Sequence, residues 1–191
     1  MIKLKNYIAA AIAATAFGAF AQAYAAPVLS VAATPNPAVL GSNVDVNVMI
    51  SDIADLYAYQ FTLTFDAARF KAVGVTEGAF LGTAGATFGD AGTIDNAAGT
   101  ISFVFNTLLG PVPGAFGSGS LANITFKALS AGTSSLTFSD LLFLDSAEAD
   151  IAVGVEPAAI QAVPEPASYL LFGVGLVAVG LLRRRQLAPL G

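Results

Sequence analysis

Tyr57-Ala58-Tyr59-Gln60-Phe61-Thr62-Leu63-Thr64-Phe65-Asp66 decides the fold class. Large apolar side chains occupy every second position from Tyr57 to Phe65, and Ala58, Gln60, Thr62 and Thr64 fill the gaps. Side chains alternate across a strand, so this pattern predicts one with an aromatic face in a core and an opposite face turned outward. Working outward, Val44, Val46, Val48 and Ile50 alternate with Asn43, Asp45, Asn47 and Met49 on one side. On the other, Asp66-Ala67-Ala68-Arg69 reads as a turn before a strand over Phe70 to Thr76. Further strands are predicted at Leu29 to Ala33, Thr93 to Asn96, Thr100 to Thr107, Leu121 to Leu129, Ser134 to Ser139, Leu141 to Leu144 and Ala158 to Val163, with Gly, Ser, Asn and Asp in the gaps. Such a run of short strands predicts an all-β domain of two packed antiparallel sheets, with a closed barrel as the competing architecture. Gly110-Pro111-Val112-Pro113-Gly114, continued through Phe116 to Ser120, lacks alternation and reads as a surface loop.

Charge narrows what such a domain can bind. The 191-residue chain has eight bases and thirteen acids, but Lys3, Lys5 and Arg183 to Arg185 lie at its ends. Between Ala26 and Val163, three bases (Arg69, Lys71 and Lys127) face twelve acids, a net charge of about −9. Such a surface repels nucleic acid and anionic lipid headgroups, because neutralising phosphates needs clustered Lys or Arg, and nucleic acid is excluded as a partner. There is no cysteine, so disulfides and thiolate chemistry are excluded. Histidine is also absent, which leaves carboxylates as the available acids and bases.

The two ends read as targeting segments. Lys3 and Lys5, an uncharged stretch from Tyr7 to about Phe20, and the small residues Ala23 and Ala25 flanking Tyr24 predict a signal peptide over residues 1–25, cut by signal peptidase after Ala25. At the other end, residues 167–182 carry no charge and would rise about 24 Å as a helix, against a hydrocarbon core of about 30 Å. Arg183, Arg184 and Arg185 follow, and residues 187–191 form a short end that the positive-inside rule places in the cytoplasm. Before the apolar stretch stands Val163-Pro164-Glu165-Pro166, whose two prolines hold it extended and out of any β-ladder. Motif, apolar helix and arginine cluster in this order, over residues 163–186, resemble the PEP-CTERM sorting domain. The resemblance implies recognition by an exosortase in a Gram-negative bacterium, transient anchoring, cleavage near the motif, and delivery to the cell surface or extracellular matrix.

The central region, residues 26–162, carries a second resemblance. Tyr59 to Asp66, followed by Phe70-Lys71-Ala72-Val73-Gly74-Val75-Thr76-Glu77-Gly78, is similar to the cohesin pattern, and Leu121 to Ala128 and Leu136 to Ser139 resemble its later strands. Membership implies a jelly-roll β-sandwich of about nine strands, related in fold to carbohydrate-binding modules, and a dockerin-like protein or a polysaccharide as ligand. The outward positions Ala58, Gln60 and Thr62 then mark a possible ligand face. Only Gln60 among them is strongly polar, where dockerin-binding cohesins present hydrogen-bonding side chains.

Three chemical readings remain beside the binding module. Asp145, Glu148 and Asp150, with Asp140 nearby, are the densest acids and weak calcium candidates, though their spacing matches no recognised calcium loop. A pair of carboxylates could serve a small glycosidase, but the chain has no Trp for sugar stacking. Tyr57 and Tyr59 could form a sugar platform, yet they share the face of Phe61, Leu63 and Phe65 and so read as core. The expectation is a non-enzymatic, exported binding module without a cofactor. A structural or adhesive matrix protein lacking a dedicated ligand is the main alternative.

Overall fold

The computed structural model describes residues 25–165 and 173–178. Its strands are β1 (Val28–Thr34), β2 (Ala38–Val39), β3 (Asn43–Leu56), β4 (Ala58–Thr64), β5 (Phe70–Glu77), β6 (Thr87–Asp90), β7 (Thr93–Asp95), β8 (Thr100–Leu108), β9 (Ala115–Ala128), β10 (Gly132–Leu144), β11 (Gly154–Val155) and β12 (Ala158–Val163). A single 3₁₀ turn, Leu81–Thr83, interrupts them. One sheet runs β11-β1-β3-β9-β5, the other β2-β12-β10-β4-β8-β6 with β7 also on β8. Two separate sheets make a sandwich and rule out the closed barrel. All pairings are antiparallel except β1 with β11 and β12 with β2.

Every strand read from alternation is present, with Ser134 to Ser139 and Leu141 to Leu144 fused into β10. The short β2, β6 and β11 are additions. The expected loop is shorter than its sequence suggests, because Ala115 to Ser120 extend β9 along the far half of β3.

The core explains the alternation. Tyr59, Phe61, Leu63 and Phe65 are all buried, Phe61 completely, and they meet Val44, Val46, Val48 and Ile50 from the facing sheet. Phe61 stacks on Tyr59 and meets Phe138 edge-on at 5.5 Å, while Phe65 meets Phe126 edge-on at 5.0 Å. Four non-glycine strand residues have left-handed backbone, Asp52 (φ 55°), Asp55 (φ 60°), Phe103 (φ 57°) and Asp140 (φ 50°), and each lies where a sheet register shifts. A bulge inserts one residue and changes the phase of alternation. In β3 the buried positions therefore step from Ile50 to Ile53 to Leu56 rather than by twos. Asp tolerates this conformation; Phe does not, so Phe103 carries backbone strain of about 1–2 kcal/mol.

Asp55 also ties three segments together at one end of the sandwich. Its Oδ1 accepts from the Gly114 amide at 2.7 Å, and its Oδ2 from the Ser146 hydroxyl at 2.6 Å and amide at 3.3 Å. The Ser146 hydroxyl contributes most to holding the carboxyl below its ordinary value, burial opposes it, and the two amides add to it. With its folded value depressed, this carboxylate stabilises the fold fully above the ordinary range near pH 4 and loses that contribution as pH falls through the folded value. Asp55→Asn is expected to cost about 1 kcal/mol at neutral pH and to flatten the acid limb of a denaturation series.

Of the terminal readings, Ala23 and the rest of the signal segment before Ala25, as well as Pro166 and Arg183 to Arg185, lie outside the described residues. Within the apolar stretch, residues 173–178 are helical. No helix among the described residues is long and apolar enough to cross a membrane.

Candidate functional site

The outward surface of β10, β4, β8 and β6 follows from the register. Because Tyr59, Phe61, Val104, Asn106 and Phe143 are buried, their neighbours Gln60, Phe105 and Leu142 point the other way. Asp90 pairs with Phe105, Phe105 with Gln60, and Gln60 with Leu142, forming one row across four strands. The adjacent row is Phe88, Thr107, Ala58 and Leu144. Phe88 is 61% exposed and lies 6.2 Å from Phe105, centroid to centroid. Phe103, turned out by its bulge, is 62% exposed, and Leu142 is 40% exposed. Aromatic rings left in water across adjacent strands of one sheet mark a surface built for contact.

Of the three positions singled out from the sequence, Ala58 and Gln60 lie on this surface, half-buried. Gln60 Nε2 reaches the Asp140 carbonyl at 3.5 Å, which leaves its amide weakly held. Thr62 is buried, its Oγ1 accepting from the Phe103 amide at 3.4 Å. Phe88, Phe103, Phe105 and Leu142 were not singled out. Phe88 lies in a four-residue strand with no alternation to reveal it, and Phe103 and Phe105 are displaced from the core by the bulge. Asp90 and Asp140 are the acids of this surface, and it carries no Lys or Arg. A shallow depression of about 290 Å³ continues it, lined by Leu141, Leu142, Phe143 and Asp150 to Val153.

The acidic loop has a structural role. Asp145 Oδ1 accepts from the amides of Ala147 and Ala149, both at 2.8 Å, and Asp150 forms a β-bridge with Leu144. Glu148 sits at φ 63° in the same turn. Among the described residues no three carboxylates come together as a metal site. Asp95 is similar in kind: the Ala98 and Ala97 amides lower its carboxyl, with burial opposing slightly.

Two carboxylates, Glu77 and Asp90, line a cavity at the edge of the sandwich between β5 and β6, with Tyr59 and Asn106 deeper in. Its volume is about 80 Å³, well below the several hundred Å³ of ligand pockets. Tyr59 donates to the Leu121 carbonyl at 2.5 Å, and burial pushes its phenol well above the usual range, against the pull of the Asn106 side chain. Asn106 Oδ1 accepts from the Thr107 amide, while its buried Nδ2 has no partner in hydrogen-bonding geometry. Tyr57 and Tyr59 are thus not a sugar platform. Tyr59 is core, and the Tyr57 hydroxyl donates to the Gly110 carbonyl at 2.7 Å.

Comparison with known proteins agrees with this architecture. Residues 29–159 match the model of the cohesin domain, and residues 162–185 match the PEP-CTERM protein-sorting motif. No curated protein matches the chain. Among solved structures, the second type II cohesin module of the cellulosomal adaptor ScaA scaffoldin of Acetivibrio cellulolyticus superposes with a TM-score of 0.61 at 16% identity, covering 73% of this chain and 98% of that one. The sixth cohesin of scaffoldin B from the same organism, solved in complex with a mutant dockerin, gives 0.55 at 19%, covering 73% and 100%. A non-cellulosomal cohesin from the archaeon Archaeoglobus fulgidus gives 0.55 at 14%, covering 76% and 96%. At these identities the structures establish the fold alone.

Proposed function

Because the chain belongs to the cohesin domain family and carries a PEP-CTERM sorting motif, we propose that it is an exported, non-enzymatic binding module, sorted by an exosortase to the cell surface or matrix, whose ligand seats on the outward face of β10, β4, β8 and β6. The observation that carries the reading is the exposed Phe88 beside the half-buried Phe105, with Leu142 in the same row as Phe105 and Gln60 between them. An apolar, uncharged centre with acids at its margin fits a protein surface presenting an apolar patch. Hydrogen-bonded docking by polar side chains has little to work with here, since Gln60 is the one strongly polar group at the centre. A polysaccharide stacked on the two rings is the second reading, favoured by their proximity of 6.2 Å.

Titration calorimetry of the purified chain against dockerin domains and surface polysaccharides tests the face. Phe88→Ser with Phe105→Ser should weaken whichever ligand binds by about thirtyfold or more, as for aromatic anchors elsewhere. Equal affinity in wild type and double variant would move the site elsewhere. No binding in any titration, together with concentration-dependent oligomers in ultracentrifugation, would favour the matrix protein instead. Sorting is tested separately. Replacing Pro164, Glu165 and Pro166 with alanine should leave the protein in the inner-membrane fraction, and unchanged release would count against exosortase processing.

A further inference from the structure

Both neighbours of β4 bulge at the same level. Leu63 pairs with Ile101 and Phe61 with Val104, so Ser102 and Phe103 of β8 together stand opposite Thr62. On the other side Thr62 pairs with Ser139 and Gln60 with Leu142, so Asp140 and Leu141 of β10 stand opposite Phe61. Each bulge holds one residue in left-handed backbone, Phe103 on one side of β4 and Asp140 on the other, and both residues are exposed. Neighbouring strands lie about 4.8 Å apart, which puts two positions with one strand between them roughly 10 Å apart.

The bulge in β8 works against burial. Without it the strand would carry Phe103, Phe105 and Thr107 inward, in line with Ile101, in place of Val104, Asn106 and Leu108. With it Phe103 is exposed, Phe105 is half-buried, and Asn106 is buried with a side-chain nitrogen that has no partner. Two phenyl rings lose burial, an amide is desolvated unpaired, and a phenylalanine takes a left-handed conformation. Core packing favours the other register. Strained backbone retained against packing, on a bulge that re-aims a side chain, marks a site of contact.

Charge identifies what meets it. Among the described residues the Asp140 carboxylate accepts no hydrogen bond, only its carbonyl being used, by Gln60. Asp90 is the other acid of the surface. Lys71 and Lys127 stand on strands of the opposite sheet, and Arg69 is paired with Asp66. We propose that Phe103 and Asp140, raised on either side of β4, are the specificity-determining pair of this face and select a protein ligand with an apolar patch for the ring and a lysine or arginine roughly 10 Å from it. This rests on reading the outward face of β10, β4, β8 and β6 as the seat of a protein ligand.

Calorimetric titration of the purified chain with dockerin domains supplies the test. Phe103→Ala and Phe103→Gly should each weaken binding about tenfold or more, even though Phe103→Gly melts above wild type. Asp140→Asn keeps the shape and tolerates the same backbone; it should weaken binding about threefold to fivefold at low salt and match wild type at high salt. Wild-type affinity in all three variants, with the Phe88→Ser, Phe105→Ser double variant still impaired, overturns the proposal alone. Equal binding by wild type and that double variant removes the face and the proposal with it. Silence of every dockerin, or binding of polysaccharide alone, removes the protein ligand and so also the proposal.

Discussion

Phe61→Ala is expected to lower the stability of the domain by about 4 kcal/mol, within the range for emptying a fully buried aromatic site. Phe61 has no exposed surface, stacks on Tyr59 and meets the edge of Phe138, so its removal leaves a void between the two sheets that neither ring can fill without losing the other contact. Single domains are stable by about 5–15 kcal/mol, so this loss is a large fraction of the total. In a thermal melt it corresponds to a fall of about 12 °C for a domain of this length. The matched control is Phe103→Ala, the same change on the neighbouring strand, where the side chain is 62% exposed. It should shift the midpoint by less than about 0.5 kcal/mol, while Phe103→Gly, which relieves the left-handed backbone, should raise it. Equal losses for the two alanine variants would mean that Phe103 is core and that β8 is not bulged.

That pair of variants also locates the boundary of what the sequence discloses. The aromatic face of β4 could be read residue by residue because its alternation runs unbroken from Tyr57 to Phe65 with the large side chains on one parity. In β8 the same reading gives the opposite of the outcome. Ile101, Phe103 and Phe105 share a parity and look like a core face, yet the bulge at Phe103 returns Val104, Asn106 and Leu108 to the interior and sends both phenylalanines outward. No Gly or Asp marks that bulge, unlike those at Asp52, Asp55 and Asp140, so a Phe in left-handed backbone has no sequence signal. The aromatic surface therefore depends on an event that hydrophobic patterning cannot register. The extension of β9 was hidden for another reason. Apart from the exposed Phe116, Ala115 to Ser120 carry small side chains and show no apolar alternation, and at Gly119 Phe80 packs over the strand, where a Cβ would lie 2.6 Å from the ring. Strand there is imposed by pairing with β3, against local propensity.

The tail shows the reverse case, in which sequence carries more than the fold does. Pro164 stops the ladder by having no amide to donate, and the order of motif, apolar stretch and arginines is itself the signal that the sorting motif matches. Folded structure adds one constraint to it, that β12 runs to Val163 and leaves no slack.

Gly114→Ala is the other substitution expected to be severe, at about 3 kcal/mol, although it adds a single methyl at a loop position. A Cβ there would lie 2.4 Å from the Asp55 carbonyl carbon, 2.5 Å from its oxygen and 2.7 Å from the Leu56 carbonyl carbon. All three are backbone atoms, so no rotamer can yield. The strand cannot retreat either, because Leu56 is fully buried and paired with Ala115. The relief available is for residues 110–114 to lift away, which stretches the 2.7 Å bond from the Gly114 amide to Asp55 and adds about 1 kcal/mol to an overpacking cost of about 2 kcal/mol. Gly82→Ala, whose Cβ would meet nothing within 4 Å, should stay within about 0.5 kcal/mol of wild type. Denaturant midpoints check the magnitude, and pH checks the mechanism. If the cost arises through Asp55, part of the carboxylate's stabilisation goes with the lifted loop, and the acid limb of Gly114→Ala flattens toward that of Asp55→Asn. A loss of stability with an unchanged acid limb would place the strain elsewhere along the β3 and β9 contact.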